Sequence, residues 1–150
     1  GRLVGRQNSG WKLFDSYDKP ISANCAGLKV GLERATTYAD WFENELPEAT
    51  VVLYDSNEAL YLDLVNGRTD MIMTNPMKAH LRFLSKKDGA GFEFVSPQID
   101  EKKYFGIGVG IGLRQGNDEL KARLNEALKT LTDAGWLEKY ALQYFPFAIH

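Results

Sequence analysis

The sequence predicts an α/β fold, a parallel-rich sheet flanked by helices, and three observations carry that expectation. β-rich runs alternate with helical patterns three times between residues 28 and 86. Each helical pattern opens on a residue suited to capping, and the run Thr50-Val51-Val52-Leu53-Tyr54 is continuous rather than alternating, as a strand covered on both faces requires. Strand–helix–strand crossovers are right-handed in nearly all proteins, so such an alternation builds neighbouring parallel strands with helices on the sheet faces.

The elements follow in order. Arg2-Leu3-Val4-Gly5 has the make-up of a short strand, but Gln7-Asn8-Ser9-Gly10 and Pro20 to Asn24 are turn clusters, so the first twenty-six residues read as an irregular lead-in. Leu28 to Leu32 is a short strand. Thr37-Tyr38-Ala39-Asp40 has the form of a helix-start box before Trp41 and Phe42, and that helix should stop at Pro47. Thr50–Tyr54 is the second strand. Ser56 caps a helix whose Leu60, Leu64 and Val65 fall at helical spacing, and Gly67 is placed to end it in the left-handed conformation. Asp70 to Thr74 is the third strand. Asn75 and Pro76 are a cap and first-turn pair, because proline lacks only a donor that has no partner there, and the helix runs to about Lys86. After Phe92-Glu93-Phe94-Val95, a connector leads to a glycine-punctuated strand from Tyr104 to Arg114. Asn117 caps a helix with the stripe Leu120, Leu124, Leu128 and Leu131, followed by Gly135. A last helix carries Trp136, Leu137, Tyr140 and Tyr144 until Pro146.

Composition limits the chemistry. With 150 residues, 44% of them hydrophobic and 25% charged, the chain is long enough to bury roughly 68–70% of its unfolded surface, which excludes a disordered segment. Eighteen basic against twenty acidic residues leave a formal charge of −2, without the basic field that binds nucleic acid. No apolar run approaches the twenty or so residues of a membrane-spanning helix, and no charged and then apolar opening marks an export signal in this stretch. One cysteine, Cys25, cannot form an intrachain disulfide, and His80 and His150 lie far apart, so neither a metal site nor a cofactor is expected. His80 reads as a surface or partly packed residue and His150 as a tag remnant.

Two features invite a functional reading. Gly106, Gly108, Gly110 and Gly112 repeat every second residue, whereas a dinucleotide loop needs glycines at relative positions one, three and six, so close approach of another backbone or a hinge is the better explanation. The segment Gly31 to Thr37 joins the carboxyl end of a strand to a helix start, where open α/β sheets bind ligands. Amide donors at Thr36, Thr37 and Tyr38, with the positive end of the helix dipole, suit a carboxylate there. Glu33 reaches the same cleft, and Asn75, at the end of the third strand, is placed to face it. Capping is the commoner use of Thr or Asn before a helix, and that reading stands beside the ligand one.

From Leu28 onward the chain resembles the periplasmic amino-acid-binding proteins of ABC transporters, the group that includes the histidine and lysine/arginine/ornithine receptors. Asp100-Glu101-Lys102-Lys103-Tyr104-Phe105-Gly106, Gly110-Ile111-Gly112-Leu113-Arg114, Asn117-Asp118-Glu119-Leu120-Lys121 and Tyr140 to Phe145 carry the likeness most specifically. Leu28 to Gly31, the Thr36-Thr37 pair and Leu64 to Asp70 extend it to about four-fifths of the chain. The resemblance implies two α/β lobes joined by two crossovers. Residues 1–9 are then the first crossover, 10–104 the second lobe, 105–114 the return crossover, and 115–150 a helical segment returning to the first lobe.

The resemblance also implies a function: a periplasmic receptor that binds an amino acid or related carboxylate between its lobes and delivers it to the membrane subunits of a transporter. Its ligand-binding residues would be Glu33, Thr36, Thr37, Tyr38 and Asn75. Two departures stand out. Asn75 occupies the place of an Asp that pairs with the ligand's α-ammonium, and Ala35 that of a glycine before the Thr pair; Arg34 and Tyr38 also crowd the pocket. They imply a ligand without a free α-amino group, or one held in a different pose. The alternatives are an enzyme of the same fold resembling cyclohexadienyl dehydratase, or a sensory domain of a membrane receptor. Because the stripe on 120–131 lacks a sheet to cover, either a preceding segment is expected or a second copy covers it, as a homo-oligomer or by exchange of elements.

Overall fold

A computed structural model describes residues 1–147, so His150 lies outside the described residues. Two compact units are present, Gly1–Gly108 and a second that begins at Val109.

The β-rich runs of the first unit form one five-stranded sheet. Its strands are β1 (Arg2–Arg6), β2 (Lys29–Glu33), β3 (Thr50–Tyr54), β4 (Met71–Thr74) and β5 (Phe92–Phe94), in the order β3-β2-β4-β1-β5. The crossovers through residues 38–45 and 57–65 make β2 parallel to both β3 and β4, as the alternation of elements requires. β1 runs antiparallel to β4 and to β5, so the sheet is mixed.

Each face of the sheet buries an apolar layer. On one face Leu3, Leu32, Met71 and Met73 pack with Trp41, Phe42 and Leu46, contributed by helix α1 (Tyr38–Glu45) and its end. On the other, Val4 and Ile72 meet Leu60 and Leu64 of α2 (Asn57–Val65) and Ala79 of α3 (Pro76–Ala79), with Phe83 just beyond. α2 lies so close to β2 that a Cβ on Gly31 would fall 2.7 Å from Leu60 Cδ1. The lead-in is more ordered than turn clusters suggest: Phe14 bridges to Pro20, Ser22–Cys25 forms a 3-10 turn, and Leu13 and Cys25 are buried in the first layer.

Helix ends follow local chemistry. Ser56 is extended, so its Oγ accepts from the amide of Ala59 at 3.2 Å. At the other end of α2, Gly67 (φ 71) donates to Leu64 O and Arg68 donates to Asp63 O, the paired closing bonds of a left-handed helix end. Thr37 and Asn117 differ from expectation. Neither has the extended backbone that aims a side chain at the first turn, and neither makes a side-chain cap bond. α3 continues into a π-helical turn, His80–Leu84, rather than a regular helix to Lys86.

The glycine-rich stretch also departs from expectation. No strand runs from Tyr104 to Arg114: α4 (Lys102–Phe105) is one helical turn, and residues 107–114 are neither helix nor strand. The physical reason lies in Gly106 (φ 66) and Gly108 (φ 111), whose positive φ values break an extended ladder at its start. In the second unit, α5 (Asp118–Asp133) has no buried residue, and Leu120, Leu128 and Leu131 of its stripe are 39%, 39% and 41% exposed. Gly135 (φ 70) then leads into α6 (Trp136–Ala141), which stops before Tyr144.

Candidate functional site

Because β2 and β4 are parallel neighbours, with Leu32 opposite Met73, the segments that leave their carboxyl ends emerge side by side. Glu33 through Tyr38 leave β2, and Asn75 through Lys78 leave β4. The structure thus brings Glu33, Thr36, Thr37, Tyr38 and Asn75 to one edge of the sheet, where open α/β sheets bind ligands.

The turn out of β2 is held from several sides. The amide of Arg34 donates to Tyr54 O at 2.7 Å, and its guanidinium pairs with Asp55 at the same distance. Ala35 adopts the left-handed conformation, φ 59, which swings the chain off the sheet and into α1. Thr36 Oγ1 donates back to Glu33 O at 2.7 Å and locks the turn. Its hydroxyl is therefore spent on the turn, not on a helix cap. The backbone amides of Thr36 and Thr37 sit before the positive end of α1, whose first hydrogen bond runs from Trp41 N to Thr37 O.

Tyr38 is half-buried. A Cβ on Gly1 would fall 2.8 Å from its ring and 2.6 Å from Met73 Cε, and the ring packs 5.8 Å from that of Phe105. Burial, and then the Glu33 carboxylate, raise its phenol above the usual range. Burial likewise raises the Tyr61 phenol, with Glu33 among the charges that add to it. The Glu33 carboxylate faces Lys78, Nζ to Oε2 at 3.4 Å, a contact that sequence reasoning missed because a lysine in a first helical turn carries no signal.

Asn75 caps its helix. Its Oδ1 accepts from the amides of Met77 and Lys78 at 3.0 and 3.1 Å, which leaves its Nδ2 as the group free to meet a ligand. An open groove of about 670 Å³ lies elsewhere, lined by Trp11, Phe14, Ile21, Phe94 and Pro97 among others, and none of the five candidate residues borders it. Among the described residues no group of three or more His, Cys, Asp and Glu is arranged to hold a metal ion.

A mixed sheet flanked by helices, with the turns that leave β2 and β4 gathered at one carboxyl edge, defines an α/β lobe. The comparisons make this particular: the chain is homologous to the periplasmic amino-acid-binding proteins. It is 33% identical over 152 residues to the histidine-binding periplasmic protein of Salmonella typhimurium, covering 99% of this chain and 55% of that one. It is 38% identical over 145 residues to the lysine/arginine/ornithine-binding periplasmic protein of Escherichia coli, covering 93% and 55%. Among solved structures, a Salmonella typhimurium periplasmic binding protein of high arginine specificity shares the fold with a TM-score of 0.64 at 24% identity, covering 96% of this chain and 59% of that one. The chain thus spans about half the length of the curated relatives it matches. No family model matches it.

Proposed function

We propose that the chain is the ligand-binding lobe and returning segment of a periplasmic solute receptor, one that passes an amino acid or related small carboxylate to the membrane subunits of an ABC transporter. The observation that carries this reading is the alignment of nearly the whole chain with receptors named for histidine and for lysine, arginine and ornithine. The geometry supports it: the amides of Thr36 and Thr37 before the start of α1 suit a ligand carboxylate, with Glu33, Tyr38 and the Asn75 amide around it. In the same reading residues 1–9 and 105–114 are the crossovers between lobes. The role is that of a receptor rather than a catalyst, supported by the binding-protein names of these relatives.

A single wall supplies only part of the roughly 8 kcal/mol that micromolar affinity needs, so the test must register weak binding. Backbone amide NMR titration with L-histidine, L-arginine, L-lysine and L-ornithine at millimolar concentration does so. Saturable shifts at Ala35, Thr36, Thr37 and Tyr38 are expected for at least one of them; no movement at these amides with any of the four sinks the reading.

A further inference from the structure

An amine that enters this edge of the sheet needs an acceptor, and the described residues narrow the choice. Asn75 Oδ1 already accepts two backbone amides. Glu101, on the segment that passes below α1, is bonded to the indole of Trp41 at 2.8 Å. Glu33 differs from both. Its side chain is 30% exposed, and its ion-pair partner is the half-exposed ammonium of Lys78 at 3.4 Å, longer than the 2.7–2.9 Å of a well-made charge-assisted bond. Contacts of this kind are worth little to the fold and exchange readily. Lys78 and an incoming amine carry the same charge and the same three donors, so they compete for one carboxylate.

We propose that Glu33 is the ammonium-binding residue of this crevice and that Lys78 is its built-in competitor, displaced from the carboxylate when the ligand's α-ammonium arrives. The inference rests on the receptor reading above and adds to it a specificity rule: the site takes compounds with a free amine although Asn75 is neutral. The swap forms one ion pair and breaks another, so affinity is set by how loosely Glu33 holds Lys78. Lys78 is therefore a residue whose removal improves binding, an outcome opposite to that of a residue that touches the ligand favourably.

The test is the same amide titration on the full chain, with L-histidine and L-arginine and, for each, the analogue that lacks the α-amino group. Lys78→Met should tighten binding of the amino acids about two- to fivefold, the weight of an exposed ion pair, and leave the des-amino analogues unchanged. Glu33→Gln should weaken the amino acids about tenfold and abolish the gain from Lys78→Met in the double variant. Asp88→Asn, which removes an exposed negative charge on the 87–89 turn away from the pair, should match the parent chain. Lys78→Gln serves as a second probe should Lys78→Met alter the amide spectrum. If the parent chain binds and Glu33→Gln binds as well as it does, or Lys78→Met binds more weakly, the exchange is overturned while the receptor reading stands. If the parent chain binds none of the four amino acids, both fall together.

Discussion

The indole Nε1 of Trp41 donates to Glu101 Oε1 at 2.8 Å, across sixty residues of sequence. One helical turn further along α1, the Tyr104 hydroxyl donates to Glu45 Oε1 at 2.6 Å. α1 is thereby tied to the 101–105 segment at two points, and the turn that presents Thr36 and Thr37 is anchored from behind. Trp41 is fully buried, so Glu101→Ala leaves its N–H without an acceptor. A loss of about 1–2 kcal/mol is expected, read as a lower urea midpoint at unchanged slope. An unchanged midpoint would show that the indole finds another partner.

Ala35 holds a left-handed backbone, φ 59, that costs a residue with a Cβ about 1–2 kcal/mol. Glycine adopts it freely but loses about 0.5–1 kcal/mol more chain entropy on folding. Ala35→Gly should therefore stabilise the fold by roughly 0.5–1 kcal/mol, visible as a raised thermal midpoint. A lowered midpoint would contradict the conformation described for this turn.

Gly89 is packed where no side chain fits. A Cβ there would fall 2.2 Å from Phe83 O and 2.7 Å from Leu84 Cα, both backbone atoms at the end of the π-helical turn. Gly89→Ala is expected to destabilise by about 1–3 kcal/mol, because backbone cannot move aside as a flexible side chain does. Full retention of the urea midpoint would be the contrary result.

Asp63 accepts from Arg68 at 2.8 Å and from the Tyr54 hydroxyl at 2.8 Å. The Arg68 bond, and then that from Tyr54, hold its carboxyl below the ordinary 3.8. A carboxyl whose folded-state value is lowered stabilises the fold above its unfolded value, and that contribution disappears as the pH falls through the lowered value. Burial and the bond to Asp63 push the Tyr54 phenol up to about 12. Side-chain carboxyl NMR should place the Asp63 transition below 3.8, with a shift upward in Arg68→Ala; equal transitions in the two proteins would refute the pairing.

Much of the fold is legible because its signals are local. Thr50–Tyr54 forms a strand over the span its β-branched run marks, and Ser56, Gly67, Asn75 and Pro76 punctuate the helices as their backbone chemistry dictates. What escapes is set by pairing at long range. Nothing in the periodicity of residues 2–6 says that they insert between Met71–Thr74 and Phe92–Phe94. The period-two glycines suggest an extended strand, but the positive φ of Gly106 and Gly108 decides otherwise. At the candidate site, the strand-to-helix segments can be read from the sequence, and the structure brings them to one edge. The approach of Lys78 to Glu33 cannot be read, since it depends on how α3 leaves β4.

The placement of β1 also bears on how the chain is made. Among the described strands it is the earliest in the sequence, yet it lies inside the sheet with both partners late in the chain, the second of them ending at Phe94. At about 5–20 residues per second, Leu3 and Val4 wait roughly 4–18 s for their last neighbour. During that interval Leu3 and Val4 sit on a short strand with two open edges, where another chain could pair until residues 92–94 emerge.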